Sequence, residues 1–187
     1  MPYLEEMNIP KHENEIALHF RSMQLEDLAL MHEWLQRPHL RRWWGKRETY
    51  EEVAEHYLPA IRGSEPTDLY FALLNDQPIG FIQSYLVADY PDDARIVGAD
   101  KGAAGVDLFI ADPSLTGQGV GSEMLRRFVS EIVFARPITD HCIAVPTVDN
   151  SASVRAFQKA GFRVVKEFLD PRDGKMRSLV RLDRVQS

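Results

Sequence analysis

Val106-Asp107-Leu108-Phe109-Ile110-Ala111-Asp112-Pro113-Ser114-Leu115-Thr116-Gly117-Gln118-Gly119-Val120-Gly121-Ser122 is the stretch on which the reading of this chain turns. An apolar run interrupted only by Asp107 runs into turn residues and then into three glycines at alternate positions. A helix is expected from about Gly117 to Ala135, because Val120, Met124, Leu125, Phe128, Val129 and Ile132 fall on one stripe. Strand, glycine turn and amphipathic helix in that order make an anion site, since glycines permit conformations that other residues resist and free amides at a helix start attract phosphate. Read alone, the same glycines also fit a helix start that merely packs tightly. A P-loop needs Lys then Ser or Thr after its last glycine, whereas this chain continues Gly121-Ser122-Glu123, so nucleotide hydrolysis is disfavoured. The spacing of a dinucleotide fingerprint is absent too.

Outward from this stretch the chain alternates strands and helices. Ile16 to Arg21 reads as a strand and Leu25 to Leu35 as a helix that Pro38 stops. His39 to Gly45 reads as a loop and Arg47 to Ile61 as a second helix. Leu69 to Leu74 and Ile79 to Val87 form a hairpin across Asn75-Asp76-Gln77-Pro78, and residues 88–104 form a long polar connection holding Asp89, Asp92, Asp93 and Asp100. Beyond the glycines come a strand near His141 to Val145, a helix from Asn150 to Ala160, and strands near Arg163 to Phe168 and Met176 to Leu182. The order β-α-α-β-β-β-α-β-α-β-β implies an α/β fold with parallel and antiparallel pairs in one sheet. No composition break or repeat divides residues 1–187, so a single domain is expected, with residues 1–15 as a leader.

Composition narrows the function classes. With 187 residues, 44% apolar and 27% charged, the chain can bury a core and is not intrinsically disordered. Its 28 acids against 22 bases argue against a nucleic-acid partner and suit a cationic one. Cys142 is the single cysteine, which excludes an internal disulfide. No apolar run approaches the roughly 18 residues of a membrane span, and the first residues lack a signal-peptide pattern, so no membrane association and a cytoplasmic location are expected. The six histidines do not cluster at ligand spacing, and no metal is expected.

The glycine turn resembles the pyrophosphate loop of the GCN5-related N-acetyltransferase (GNAT) family, whose motif is Arg or Gln, two variable residues, Gly, one variable residue, then Gly or Ala. Gly119 and Gly121 match the small positions, while Thr116 replaces the usual Arg or Gln. A second block, Asn150-Ser151-Ala152-Ser153-Val154-Arg155-Ala156-Phe157-Gln158-Lys159-Ala160-Gly161-Phe162, is similar to the family's Asn-x-x-(Ser/Ala)-x-x-x-(Tyr/Phe)-x-Lys-x-Gly-Phe. The resemblance runs from Ile16 onward. Glu33-Trp34-Leu35, His39 through Trp43-Trp44-Gly45, Tyr57-Leu58-Pro59, Pro78-Ile79-Gly80, Gln83-Ser84-Tyr85 and Gly105-Val106-Asp107 resemble the aminoglycoside 6′-N-acetyltransferase branch most closely. The resemblance implies a mixed sheet of about seven strands, splayed between its central strands and flanked by about four helices. It also implies acetyl-CoA as cosubstrate, held by Leu108, Phe109 and Ile110, by Gly117, Gln118, Gly119, Val120, Gly121 and Ser122, and by Asn150, Phe157 and Lys159. Asn150 has a structural reading beside this one, as a helix N-cap.

Acetyl transfer requires an ammonium to lose its proton, and a carboxylate near the amine is the expected device. Asp107 is the candidate base, because a carboxylate inside an apolar strand beside the glycine turn is costly to bury without a use. The alternatives for Asp107 are a water-facing strand residue or a turn cap. For a small polycationic acceptor the resemblance implies Trp44, Tyr57, Gln83, Asp92, Asp107 and Asp173, although Asp173-Gly174 is also a plain turn dipeptide. Besides Thr116, three departures from the family stand out. Phe157 occupies a position where the family often has Tyr, so the hydroxyl that protonates the leaving thiolate is missing. Relatives carry a tryptophan pair where this chain has Ala94-Arg95, and an acid where it has Val145. The expected activity is acetylation of an aminoglycoside amine, giving antibiotic resistance, by direct transfer in a ternary complex. The alternatives are an acyltransferase for a siderophore precursor or polyamine, and a weak acyl-CoA-binding protein. A monomer or homodimer is expected.

Overall fold

A computed structural model describes residues 18–45 and 48–185 of the chain. The first strand, β1 (Leu18–Ser22), leads through a 3-10 turn (Leu25–Asp27) into α1 (Leu28–Leu35), whose Leu28, Met31, Trp34 and Leu35 are buried. The segment expected as a loop at 39–45 is a helix, α2 (Pro38–Trp44). Pro38 does end α1, but it also sits at the first position of α2, where a fixed φ and a missing N–H cost nothing. Seven residues are fewer than two turns, too short for helical periodicity to show. Thr49 and Glu52 form a capping box at the start of α3 (Tyr50–Ile61), later than the expected start at Arg47, which lies outside the described residues.

β2 (Thr67–Leu74) and β3 (Gln77–Leu86) form the hairpin, but its loop is only Asn75-Asp76, at φ 49° and 63°. Positive φ at both central residues gives the turn whose twist matches its flanking strands. The connection expected over 88–104 is likewise ordered: α4 (Pro91–Val97) opens on a proline and ends at Gly98, φ 70°. β4 (Ala103–Ile110) and the glycine turn then lead into α5 (Val120–Phe128), which starts three residues after the expected position because Gly117 and Gly119 hold φ 75° and 87°. A π-helical turn at Val129–Val133 inserts a residue, so the buried stripe moves from the expected Ile132 to Val133, which is fully enclosed. β5 (His141–Ala144), α6 (Ser151–Lys159), β6 (Arg163–Leu169) and β7 (Met176–Asp183) complete the chain. The described helices number six, against the four expected, because α2 and α4 are too short to read from pattern.

The seven strands form one sheet in the order β1-β2-β3-β4-β5-β7-β6. Every neighbouring pair is antiparallel except β4 and β5. That parallel pair joins only from Ala103↔His141 to Gly105↔Ile143. β5 ends at Ala144 while β4 continues to Ile110, so the sheet opens between its two central strands, as expected. One face packs Trp34, Phe71, Phe81 and Phe109 beneath α1 to α3. The other packs Val106, Leu125, Phe128, Phe157 and Val180 beneath α5 and α6.

Candidate active site

The open half of β4 carries the site. Ala111 N–H donates to Ile79 O across the β3 ladder, so strand alternation turns the amides of Leu108 and Ile110 toward the gap left by β5. The same alternation directs the Phe109 amide to β3, and the Phe109 ring is enclosed 4.9 Å from Trp44 and 5.5 Å from Phe81. The α1–α2 corner fixes the end of β4: Arg37 Nη1 donates to Ala111 O at 2.8 Å, and His39 Nε2 lies 3.1 Å from Ile110 O.

Two cavities meet at Asp107. The larger, about 280 Å³, fills the gap between β4 and β5, and its walls include Trp43, Trp44, Leu108, Thr147, Asn150, Ser153, Phe157 and Arg177. The smaller, about 180 Å³, lies under α3 and α4, and its walls include His56, Tyr57, Glu65, Thr67, Tyr85, Tyr90 and Asp93. Among the described residues only Gln83 and Asp107 line both. Gln83 Nε2 donates to Asp107 Oδ2 at 3.1 Å across the β3–β4 pair Gln83↔Asp107. Burial pushes the Asp107 carboxyl above the ordinary carboxylate range, the Gln83 hydrogen bond opposes this, Asp93 adds to it, and the Arg177 guanidinium opposes it again. Tyr85 is held well above the usual phenol value by the Asp107 charge and burial, and Tyr57 by burial first, so both stay neutral O–H groups.

The glycine turn stands beside the end of β4 and lines neither cavity. A Cβ on Gly121 would lie 3.5 Å from Ile110 and 3.9 Å from Ala156, which places the start of α5 between the end of β4 and α6. Ser122 Oγ donates to Gly119 O at 2.8 Å and Thr116 Oγ1 to Pro113 O at 2.7 Å, which braces the turn from both sides. Gln118 Nε2 donates to Ser114 O. The first amides of a helix have no intrahelical acceptor, so those of Val120, Gly121 and Ser122 are available to an anion.

The structure thus brings Trp44, Gln83, Asp107, Leu108, Asn150 and Phe157 around the larger cavity, and Tyr57, Gln83 and Asp107 around the smaller. Asn150 caps α6, its Oδ1 accepting from Ser153 N–H at 3.2 Å, which leaves its amide nitrogen out of the cap. Lys159 is exposed at the far end of α6. Asp92 points away, paired with Arg95 on the outer side of α4, and Asp173 lines neither cavity but accepts from Arg177 Nη2 at 2.7 Å. Asp93, Glu65, Tyr85, Tyr90 and Arg177 were not among the expected site residues, although Tyr85 stands in one of the stretches that carry the resemblance. Asp93 was legible only as one of four aspartates in a presumed loop, and a helix there decides which of the four faces inward. Arg177 carries no local signal, because strand pairing alone brings β7 to this place.

The acetyltransferase (GNAT) domain family matches residues 24–169. The aminoglycoside N(6')-acetyltransferases type 1 of Klebsiella pneumoniae and Serratia marcescens are each 37% identical over 145 residues, 76% of this chain and 72% of theirs. Among solved structures, aminoglycoside acetyltransferase AAC(6')-Ib in complex with coenzyme A superposes with a TM-score of 0.82 at 33% identity, covering 90% of this chain and 95% of that one. The complex of the same enzyme with coenzyme A and kanamycin also gives 0.82, at 32% identity over the same shares. The family match over most of the chain, the related sequences and the sheet opened beside a glycine turn agree, and the chain belongs to the GNAT acetyltransferase family.

Proposed function

We propose that the protein transfers acetyl from acetyl-CoA to an amine of an aminoglycoside, at the 6′ position, in a ternary complex, and so confers resistance. The observation that carries this reading is the position of Asp107 on the wall shared by two cavities. One cavity fills the gap beside β4, against whose end the start of α5 packs with free amides suited to a diphosphate, and the other is walled by Glu65, Asp93 and three tyrosines, a lining suited to a polycation rich in hydroxyls. The related sequences and structures named above are enzymes of this type, two of the solved forms holding coenzyme A.

Acetyl-CoA supplies an acetyl group as a thioester. Asp107 accepts the proton of the acceptor ammonium, directly or through one water, and Gln83 fixes the orientation of its carboxylate. The Leu108 and Ile110 amides face the gap and are placed to donate to a thioester oxygen as charge develops there. The turn from Gly117 to Ser122 holds the diphosphate, and Asn150 lies along the course of the pantetheine arm. The amine nitrogen bonds to the thioester carbon, the C–S bond breaks, and the coenzyme A thiolate takes its proton from water, since Phe157 has none to give; the hydroxyls lining the same cavity are those of Thr147 and Ser153. We place the activity in the cytoplasm and assign it to a monomer or homodimer; no helix among the described residues is long and apolar enough to cross a membrane.

The deciding assay follows thiol release with acetyl-CoA and a panel of amines, with the acetylated position located by NMR. Turnover of kanamycin-type substrates with acetylation at the 6′-amine is expected. Strong turnover of hydroxylated lysine or a polyamine, and none of any aminoglycoside, overturns the reading.

A further inference from the structure

A carboxylate on the wall of the acceptor cavity is already paired with a cation of the protein's own. Asp93, on its wall, receives Arg172 Nη1 from the turn between β6 and β7. Arg172 is not free to wander. Asp170, with a side chain 1% exposed, accepts from Arg172 Nε at 2.9 Å, from Nη2 at 2.7 Å and from the Arg172 backbone N–H at 3.0 Å. A buried carboxylate therefore holds one edge of the guanidinium, and the remaining Nη1 is presented to Asp93. The neighbouring Arg95 is spent on Asp92 and does not compete for this place.

We propose that Arg172 is a specificity-determining residue, a tethered cation that occupies Asp93 until an ammonium of the acceptor exchanges for it. The inference rests on the acceptor being a polyamine-like aminoglycoside. An unpaired carboxylate on a cavity wall would attract any passing cation. With Arg172 in place, a ligand gains at Asp93 only by replacing one ion pair with another, so the residue discriminates by position more than it adds affinity. The exchange leaves no buried charge alone: Arg172 stays on Asp170, and its freed Nη1 turns to water, since its side chain is about half exposed.

The test compares wild type with Arg172→Gln and Arg172→Lys, each alone and combined with Asp93→Asn, using kanamycin as the varied acceptor at saturating acetyl-CoA. Gln keeps a neutral donor for Asp170, and melting temperature together with the KM for acetyl-CoA reports whether the fold is retained. Arg172→Gln is expected to lower the acceptor KM about two- to fivefold, the range of an exposed ion pair, with kcat changed by less than about twofold. Arg172→Lys, which keeps the charge, stays within about twofold of wild type. In the Asp93→Asn background the Gln substitution has no effect on KM, because the pair it breaks is already gone. An unchanged or raised KM in Arg172→Gln overturns the proposal, as does the same fall in the Asp93→Asn background. Wild-type turnover separates the two inferences: its absence with every aminoglycoside overturns the substrate reading and this proposal together, whereas turnover with an unresponsive KM overturns this proposal alone.

Discussion

Asp107 answers to opposing demands: a proton acceptor must be ionised at working pH, yet its half-buried place between two cavities limits its contact with water. Its raised pKa predicts an acidic limb in kcat/KM above the ordinary carboxylate value of about 3.9. Gln83→Leu removes the hydrogen bond that lowers this value, so that limb moves to higher pH while the alkaline side stays in place; a limb that does not move refutes the role of Gln83. Asp107→Asn is expected to cost about 10²- to 10⁴-fold in kcat. It should also raise the melting temperature. The native carboxyl holds its proton more tightly than the unfolded one, so ionisation weakens the fold as pH rises from the unfolded pKa through the raised native one, and the amide escapes that cost. Asp170 has the opposite sign. Arg172 holds its pKa down to about 2, so it contributes stability above the unfolded value that is lost as pH falls toward 2. Asp170→Asn should therefore cost on the order of 1–2 kcal/mol at pH 7 and almost nothing near pH 2, read from urea unfolding at both values.

At the scale of elements, close approach of β3 and β4 builds the wall on which Gln83 and Asp107 meet. A Cβ on Gly105 would lie 2.4 Å from the Tyr85 ring, so only glycine lets that ring cross β4 and reach the acceptor cavity. Gly105→Ala is expected to displace Tyr85, to destabilise the protein by about 1–3 kcal/mol, and to raise the acceptor KM more than the KM for acetyl-CoA. Equal changes in the two KM values would show that the ring serves packing alone. The longer elements were legible in the sequence because their apolar residues recur over at least two turns or several strand positions. Asn150 and Phe157 were legible through the resemblance of their block to the family's motif. α2 and α4 were not, since each is a seven-residue helix opened by a proline that reads locally as a stop. That blindness propagated to the acceptor side: with α4 taken for a loop, no pattern could tell Asp92, which faces outward to Arg95, from Asp93, which faces the cavity. The π-helical turn after α5 hid in the same way, because a one-residue insertion only shifts the stripe from Ile132 to Val133.

For the molecule as a whole, the net charge of −6 explains little about recognition until it is divided by place. Asp92, Asp170 and Asp173 are engaged by arginines and line neither cavity, whereas Glu65, Asp107 and Asp93, the last paired with Arg172, stand together around the smaller one. A polycationic acceptor is therefore drawn by a few carboxylates at close range more than by the overall field. Charges separated by less than the Debye length, about 10 Å at 0.1 M salt, still feel screening wherever solvent reaches them, and the acceptor must approach through solvent. The KM for the acceptor should accordingly rise several-fold between about 0.05 and 0.5 M sodium chloride at saturating acetyl-CoA, with kcat nearly constant, because the bound state excludes most of the salt. The same series on Asp93→Asn should give a shallower slope, and on Asp92→Asn an unchanged one, since Asp92 faces away from the cavity. Equal slopes for all three proteins would mean that distant charge steers the acceptor, and that the placement of Asp93 on the cavity wall does not govern the encounter.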